Sequence, residues 1–287
     1  MHPPKHIRYI FTLAILGSSL LAPRMLSAAD AQPNRIRIEY VIPSSSEHQT
    51  VYQIIKERHA LEKLQEIYGA FRLPIDLGLR TVECDGVSNA WYQRGQVSVC
   101  YEYLNEILKM MPQQTTEAGI APVDAIAGQF FYVLSHEMGH AMFDLLDVPV
   151  FGRSEDAADQ FATYIMLQFG KDQARRLIMG AAHSYKNYVM KPNVTAPLAA
   201  FSDAHSPPPV RFYNMLCLAY GADPVLFADF ATKEYLPKAR ASDCKKEYGE
   251  VAYAFKKLIA PHLDKSIAQN VLQKSWLPDE KDRAGSH

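Results

Sequence analysis

Two imidazoles and a carboxylate are packed into His136-Glu137-Met138-Gly139-His140. On a helix, the i, i+4 spacing stacks His136 and His140 on one face, one turn apart, where both can bind a single metal ion. Glu137 then stands beside that ion rather than on it, where a base for an attacking water belongs. The chemistry such a group supports is metal-assisted hydrolysis, with zinc suiting two imidazoles and an oxygen donor. Gly139 adds nothing to the metal but lets a neighbouring segment come close. A core helix with two satisfied histidines is the alternative that the motif leaves open.

The run from Asp124 to Leu146 has to supply that helix. Ile126, Phe130, Val133 and Leu134 give an apolar stripe before the motif, and Met142, Leu145 and Leu146 give one after it. Asp124 is the expected N-cap, and Pro149 closes the far end. A hydrolytic zinc takes three protein ligands and keeps a position for water, so a third donor must come from another element. A second helical pattern begins at Ser154, its expected N-cap. Glu155 would complete the set. Asp159, on the same face, would accept the outer N–H of one ligand histidine, and Ala158 keeps that face thin. Asp156 is the rival ligand, but it points roughly a quarter-turn away. Against both stands a plainer role, an acid pair complementing the helix N-terminal dipole.

His-Glu-x-x-His followed by Glu155-x-x-Ala158-Asp159 resembles the gluzincin class of zinc metallopeptidases, nearest in pattern to the CaaX prenyl protease group and its soluble periplasmic relatives. Those relatives carry a later His-Pro segment with an arginine beyond it. Here the segment is Asp203-Ala204-His205-Ser206-Pro207, with Arg211 at the same offset but with Ser206 before the first proline. Together with Glu83-Cys84-Asp85-Gly86 and Cys100-Tyr101-Glu102, the arrangement is similar to a family of secreted bacterial metallopeptidases of little-assigned function. The resemblance implies that His205 approaches the active site, to donate to the developing oxyanion or to gate the metal. It implies that Arg211 anchors the loop by pairing with a carboxylate. The alternative is a loop histidine ahead of a polyproline turn, with Arg211 opening a helix through Phe212, Leu216 and Tyr220. His48, His59, His183, His262 and His287 lack a partner pattern and read as surface residues.

The first 29 residues read as an export signal: Lys5, His6 and Arg8 precede an apolar run over 10–22, and Ser27-Ala28-Ala29 offers small residues for cleavage. An uncleaved anchor is the competing reading, since Pro23 and Arg24 interrupt the approach. No other stretch is long and apolar enough to span a membrane. The chain would therefore be a soluble periplasmic or secreted protein, without stable membrane insertion once the signal is removed. All four cysteines fall after the signal, which in an oxidising compartment suggests two disulfides. Three pairings are possible, and the local ones, Cys84–Cys100 and Cys217–Cys244, each bracket one compact segment. The first would staple a hairpin upstream of the motif helix. A formal net charge of −1 gives no electrostatic case for a nucleic-acid partner or an anionic membrane.

Arg35 to Ile42 alternates as a half-buried strand, and Val51 to Tyr68 reads as one amphipathic helix. Leu77–Cys84 and Gln96–Tyr103 read as strands joined by a loop over 89–95, with a helix from Tyr103 to Met111. Beyond Gly170 the pattern is mostly helical, broken by prolines and by an irregular stretch from Lys191 to His205; the tail after Leu277 is polar. The fold class is α+β. The resemblance adds a zincin-like lobe over about 30–170, whose small twisted antiparallel or mixed sheet packs on the active-site helix, with an edge strand able to pair with an extended peptide. A helical lobe follows over about 171–287. The function expected is zinc-dependent peptide-bond hydrolysis on a peptide or protein substrate. Zinc sits on His136, His140 and Glu155, and Glu137 serves as the base. A zinc-binding periplasmic chaperone or assembly factor, gated by the His205 loop, is the alternative.

Overall fold

The computed structural model describes residues 31–189 and 198–278. The export segment, most of the irregular stretch before Leu198 and the tail from Asp279 lie outside the described residues. The strands are β1 (Ile36–Tyr40), β2 (Leu77–Val82), β3 (Ala90–Gln93) and β4 (Gln96–Cys100). The helices run α1 (Ser46–Glu57), α2 (Ala60–Tyr68), α3 (Tyr101–Met110), α4 (Pro122–Leu145), α5 (Ser154–Gln168), α6 (Lys171–Ser184) and α7 (Lys186–Val189), then α8 (Pro208–Ala222), α9 (Ala228–Thr232), α10 (Lys238–Ala241), α11 (Cys244–Ala254) and α12 (Lys265–Gln273). The molecule is α+β, with one small mixed sheet and helices predominating after it. No described helix is long and apolar enough to cross a membrane.

The sheet order is β1-β2-β4-β3, parallel except for β3, which runs antiparallel to β4. The sequence suggests a hairpin of the two strands around residues 77–103, and the structure replaces it. Those strands are parallel neighbours, and the segment read as their connecting loop is the edge strand β3. The residues Arg94 and Gly95 both take positive φ, 50° and 80°, and such a two-residue turn matches the twist of an antiparallel pair. Val97, Ser98, Val99 and Cys100 are all buried, as fits a strand flanked on both sides and covered on both faces. The disulfide Cys84–Cys100, with Cα atoms 5.6 Å apart, therefore ties the segment after β2 to the end of β4. The disulfide Cys217–Cys244, at 4.9 Å, ties α8 to the start of α11.

The expected single helix over 51–68 is two. Ser45 caps α1 by accepting from the Glu47 amide, and His59 turns the chain at φ 51°. That break lets Val51, Tyr52 and Ile55 of α1 and Leu61, Leu64 and Tyr68 of α2 all reach the core. His48, read as a surface residue, is buried, with Nδ1 2.9 Å from Glu83 Oε1. Glu83 also accepts from Ser44 and Ser45 at the helix start, and bonds to Ser44 and His48 hold its pKa down to about 2.

The motif helix α4 begins earlier than Asp124. Ala121 is its N-cap and Pro122 its first residue, where the fixed φ of proline costs nothing and its missing N–H is not needed. Asp124 is instead buried in the first turn and accepts from Arg176 Nε at 2.9 Å. Helices α4 and α6 cross almost backbone to backbone. A Cβ on Gly180 would stand 1.9 Å from the Asp124 carbonyl oxygen, and one on Gly128 would stand 2.5 Å from that of Leu177. Only glycine permits this approach, which fixes α4 between the sheet and the later helices.

Candidate metal centre

Within α4, Leu134, Met138, Ala141 and Met142 are fully buried, so the helix cannot rotate about its axis without breaking the core. That fixes the face on which His136 and His140 stand, with ring centroids 4.9 Å apart. Helix α5 begins at Ser154, with Arg153 rather than Ser154 as its cap residue. It lies close to α4 because Gly139 meets it: a Cβ there would touch Ala158 Cα at 3.3 Å and Phe161 at 3.2 Å. Glu155, one turn before Asp159, is thereby carried to the histidine pair.

Glu155 Oε2 lies 3.0 Å from His136 Nε2 and 3.2 Å from His140 Nε2, and the two nitrogens are 3.2 Å apart. The donor atoms of these three residues all fall within 4.8 Å of one another. On its outer side, His136 Nδ1 is 2.7 Å from Asp159 Oδ1. With the proton on Nδ1, donated to that carboxylate, the Nε2 lone pair faces inward. Asp159 is held in turn by two bonds from Arg211, Nε to Oδ2 at 2.7 Å and Nη2 to Oδ1 at 2.6 Å. Asp156 makes no contact with the histidines and pairs with Arg153 at 4.0 Å.

His205 arrives from the segment before α8. Its Nε2 is 2.9 Å from Glu155 Oε2, and its ring stacks near-parallel on that of His136 at 5.8 Å. Two supports hold it there. Its own N–H donates to Asp203 Oδ1 at 2.8 Å, and Arg153 Nη2 donates to the carbonyls of Asp203 and Ala204, the latter at 2.7 Å. The loop is thus clamped by Arg153, a residue to which the sequence gives no role, while Arg211 secures Asp159.

The charges are consistent with a cation site. Burial opposes positive charge on His136, but Asp159 and Glu155 overcome it and push its pKa up to about 9. The hydrogen bond from His136 holds Glu155 down to about 2. Hydrogen bonds from His136 and Arg211 outweigh burial and keep Asp159 well below the usual carboxylate range. Burial raises Glu137, partly countered by the charge of His136. Two imidazoles and a carboxylate converging on one point, with the outer nitrogen of one ring already bound, fit a divalent metal.

The cluster opens into a cleft of about 640 Å³. Ala90, Trp91 and Tyr92 of β3 form one wall, so the edge strand runs beside the motif. Tyr132, Tyr185 and Arg211 lie deeper. Tyr132 lies on α4 and Tyr185 in the turn between α6 and α7, neither within a motif of its own, and only the tertiary fold gathers them. A family model described as "Putative metallopeptidase" matches residues 40–259. No curated protein and no solved structure matches the chain.

Proposed function

Because the chain belongs to this metallopeptidase family, we propose that it is an exported, zinc-dependent peptidase whose ion is held by His136, His140 and Glu155. The observation that carries this reading is the convergence of those three donors within 4.8 Å, with Glu137 buried on the helix of the two histidines. A zinc ion there would supply Lewis acidity toward a peptide carbonyl and toward the attacking water. Glu137 takes the proton from that water and returns it to the leaving amine. Asp159 keeps His136 in the tautomer that turns Nε2 inward, and Arg211 keeps Asp159 ionised. The edge strand β3, whose Tyr92 amide turns to Glu137, has no strand on its outer side among the described residues and would offer its remaining backbone groups to an extended peptide, laying the scissile bond across the cleft.

Metal content tests the assignment. Purified chain should carry close to one zinc, His140→Ala should lose it, and Glu137→Gln should keep it. Full zinc in His140→Ala would remove the centre.

His205 supports a second reading, in which cleavage is gated. Its Nε2 is as near to Glu155 as the ligand histidines are, and although it is outside the set of donors that converge within 4.8 Å, a movement of the loop would bring it to the ion as a fourth ligand. A residue that donates to an oxyanion should cost about 10²–10³ in turnover when His205→Ala removes it, with zinc affinity unchanged. A capping ligand should give the opposite pair, faster turnover and weaker zinc. Unaltered turnover and affinity would make His205 an ordinary loop residue.

A further inference from the structure

A second cavity, of about 570 Å³, opens between α1, α2, α3 and the first half of α4 and shares no lining residue with the metal cleft. Small-molecule sites are commonly about 300–1,000 Å³. Its floor is core side chains, among them Ile55, Leu64, Leu104, Ile107 and Phe131, all buried. Ile126 and Phe130 of α4 continue the apolar surface, and Trp276 borders it. Charge enters its lining at three residues, Glu57, Arg58 and Lys63, so one acid faces two cations. Neither Arg58 nor Lys63 has a side-chain ion pair or hydrogen bond among the described residues. Burial and the neighbouring Arg58 both lower the Lys63 pKa, as expected of two cations left close together beside apolar surface.

We propose that this cavity binds a free fatty acid, with its alkyl chain along the apolar floor and its carboxylate at Arg58 and Lys63. Charge complementarity selects that occupant. A neutral alkane would make no use of the excess positive charge that Arg58, which is exposed, and Lys63, which is half-buried, bring to the lining, and the chain's own apolar run over 10–22 follows Lys5 and Arg8, which would add like charge. The apolar floor favours an alkyl chain over a compact anion, because each buried methylene tightens binding.

Trp276 borders this cavity and Trp91 the metal cleft, and the chain has two tryptophans. In a Trp91→Phe background, intrinsic fluorescence therefore reports on this cavity. Titration with decanoate, dodecanoate and tetradecanoate below micelle formation should give saturable binding of one molecule per chain. Affinity should rise about fourfold per methylene. Arg58→Glu combined with Lys63→Glu should weaken dodecanoate at least about tenfold by removing a charge-assisted contact, while dodecanol, weaker than dodecanoate on the unsubstituted pair, is unaffected. Calorimetric titration of the unsubstituted chain reads the same series should the tryptophan change disturb folding. No saturable binding, dodecanol binding as tightly as dodecanoate, or a charge-reversed chain that holds dodecanoate undiminished would each overturn the proposal.

Discussion

Glu137→Gln should lower turnover on an unstructured protein substrate by about 10²–10⁴-fold, the span covered by loss of a general acid–base group, and leave KM and zinc content nearly unchanged. The amide keeps the size of the side chain and both of its heavy-atom branches but cannot accept the proton of the attacking water. Position decides the expectation. Glu137 lies between the two histidines in sequence and is buried, yet it is outside the set of donors that converge on one point. In the metal-free chain its carboxyl is raised by burial. The active form is the carboxylate, so kcat/KM should fall as pH falls through its protonation. Loss of zinc in Glu137→Gln would make Glu137 a ligand instead. Unchanged turnover would remove it from the chemistry.

Arg211→Met should destabilise the folded chain by roughly 3–5 kcal/mol, the cost of stranding one member of a buried ion pair. Asp159 is 7% exposed and depends on two short bonds from Arg211. Methionine replaces the volume but neither donor, leaving a carboxylate beside His136 with half its partners. At roughly 2–4 °C per kcal/mol, the melting temperature should drop by at least several degrees. The pH dependence has a definite sign. Asp159 is held low in the fold, so its contribution is fully present above the pKa of an unfolded aspartate and is lost as pH falls toward the folded value. In Arg211→Met the folded pKa rises, so the contribution shrinks and acid loss begins at higher pH. A melting temperature within 2 °C of the parent chain's would refute the coupling, and adding Asp159→Asn should recover part of the loss because it removes the unpaired charge.

The sequence makes the centre legible wherever its geometry is local. His136 and His140 share a helix face by spacing alone, and Glu155 and Asp159 share another; the structure then brings the two faces together at Gly139 and Ala158. His205 lies much further along the chain, and only the offset of Arg211 hints at its approach. Arg153, which clamps the His205 loop, has no signal, because its partners are backbone carbonyls that any residue could supply. The same limit applies to the fold. Within residues 89–95 the turn formers Asn89 and Gly95 stand only at the ends, and β3 between them carries the strand-favouring Trp91 and Tyr92, but four residues are too short a run for alternation to show until β4 offers an edge. The break at Arg58–His59 and the crossing of Gly128 with Gly180 arise between elements, where periodicity along one element carries no information. Asp124, a good capping residue by type, is drawn inward by Arg176.

The bond between Cys84 and Cys100 has a consequence for metal loading. The two sulfurs and a Glu102 carboxylate oxygen lie within 4.8 Å of one another. As free thiols they would form a soft, thiophilic set able to compete for zinc. Oxidation closes that rival address while leaving the imidazole–carboxylate one open. A chain matured in an oxidising compartment would therefore take up its ion at one location. The same chain folded in a reducing cytosol would offer two, and a count of two zinc ions would then report its redox history rather than a binuclear centre.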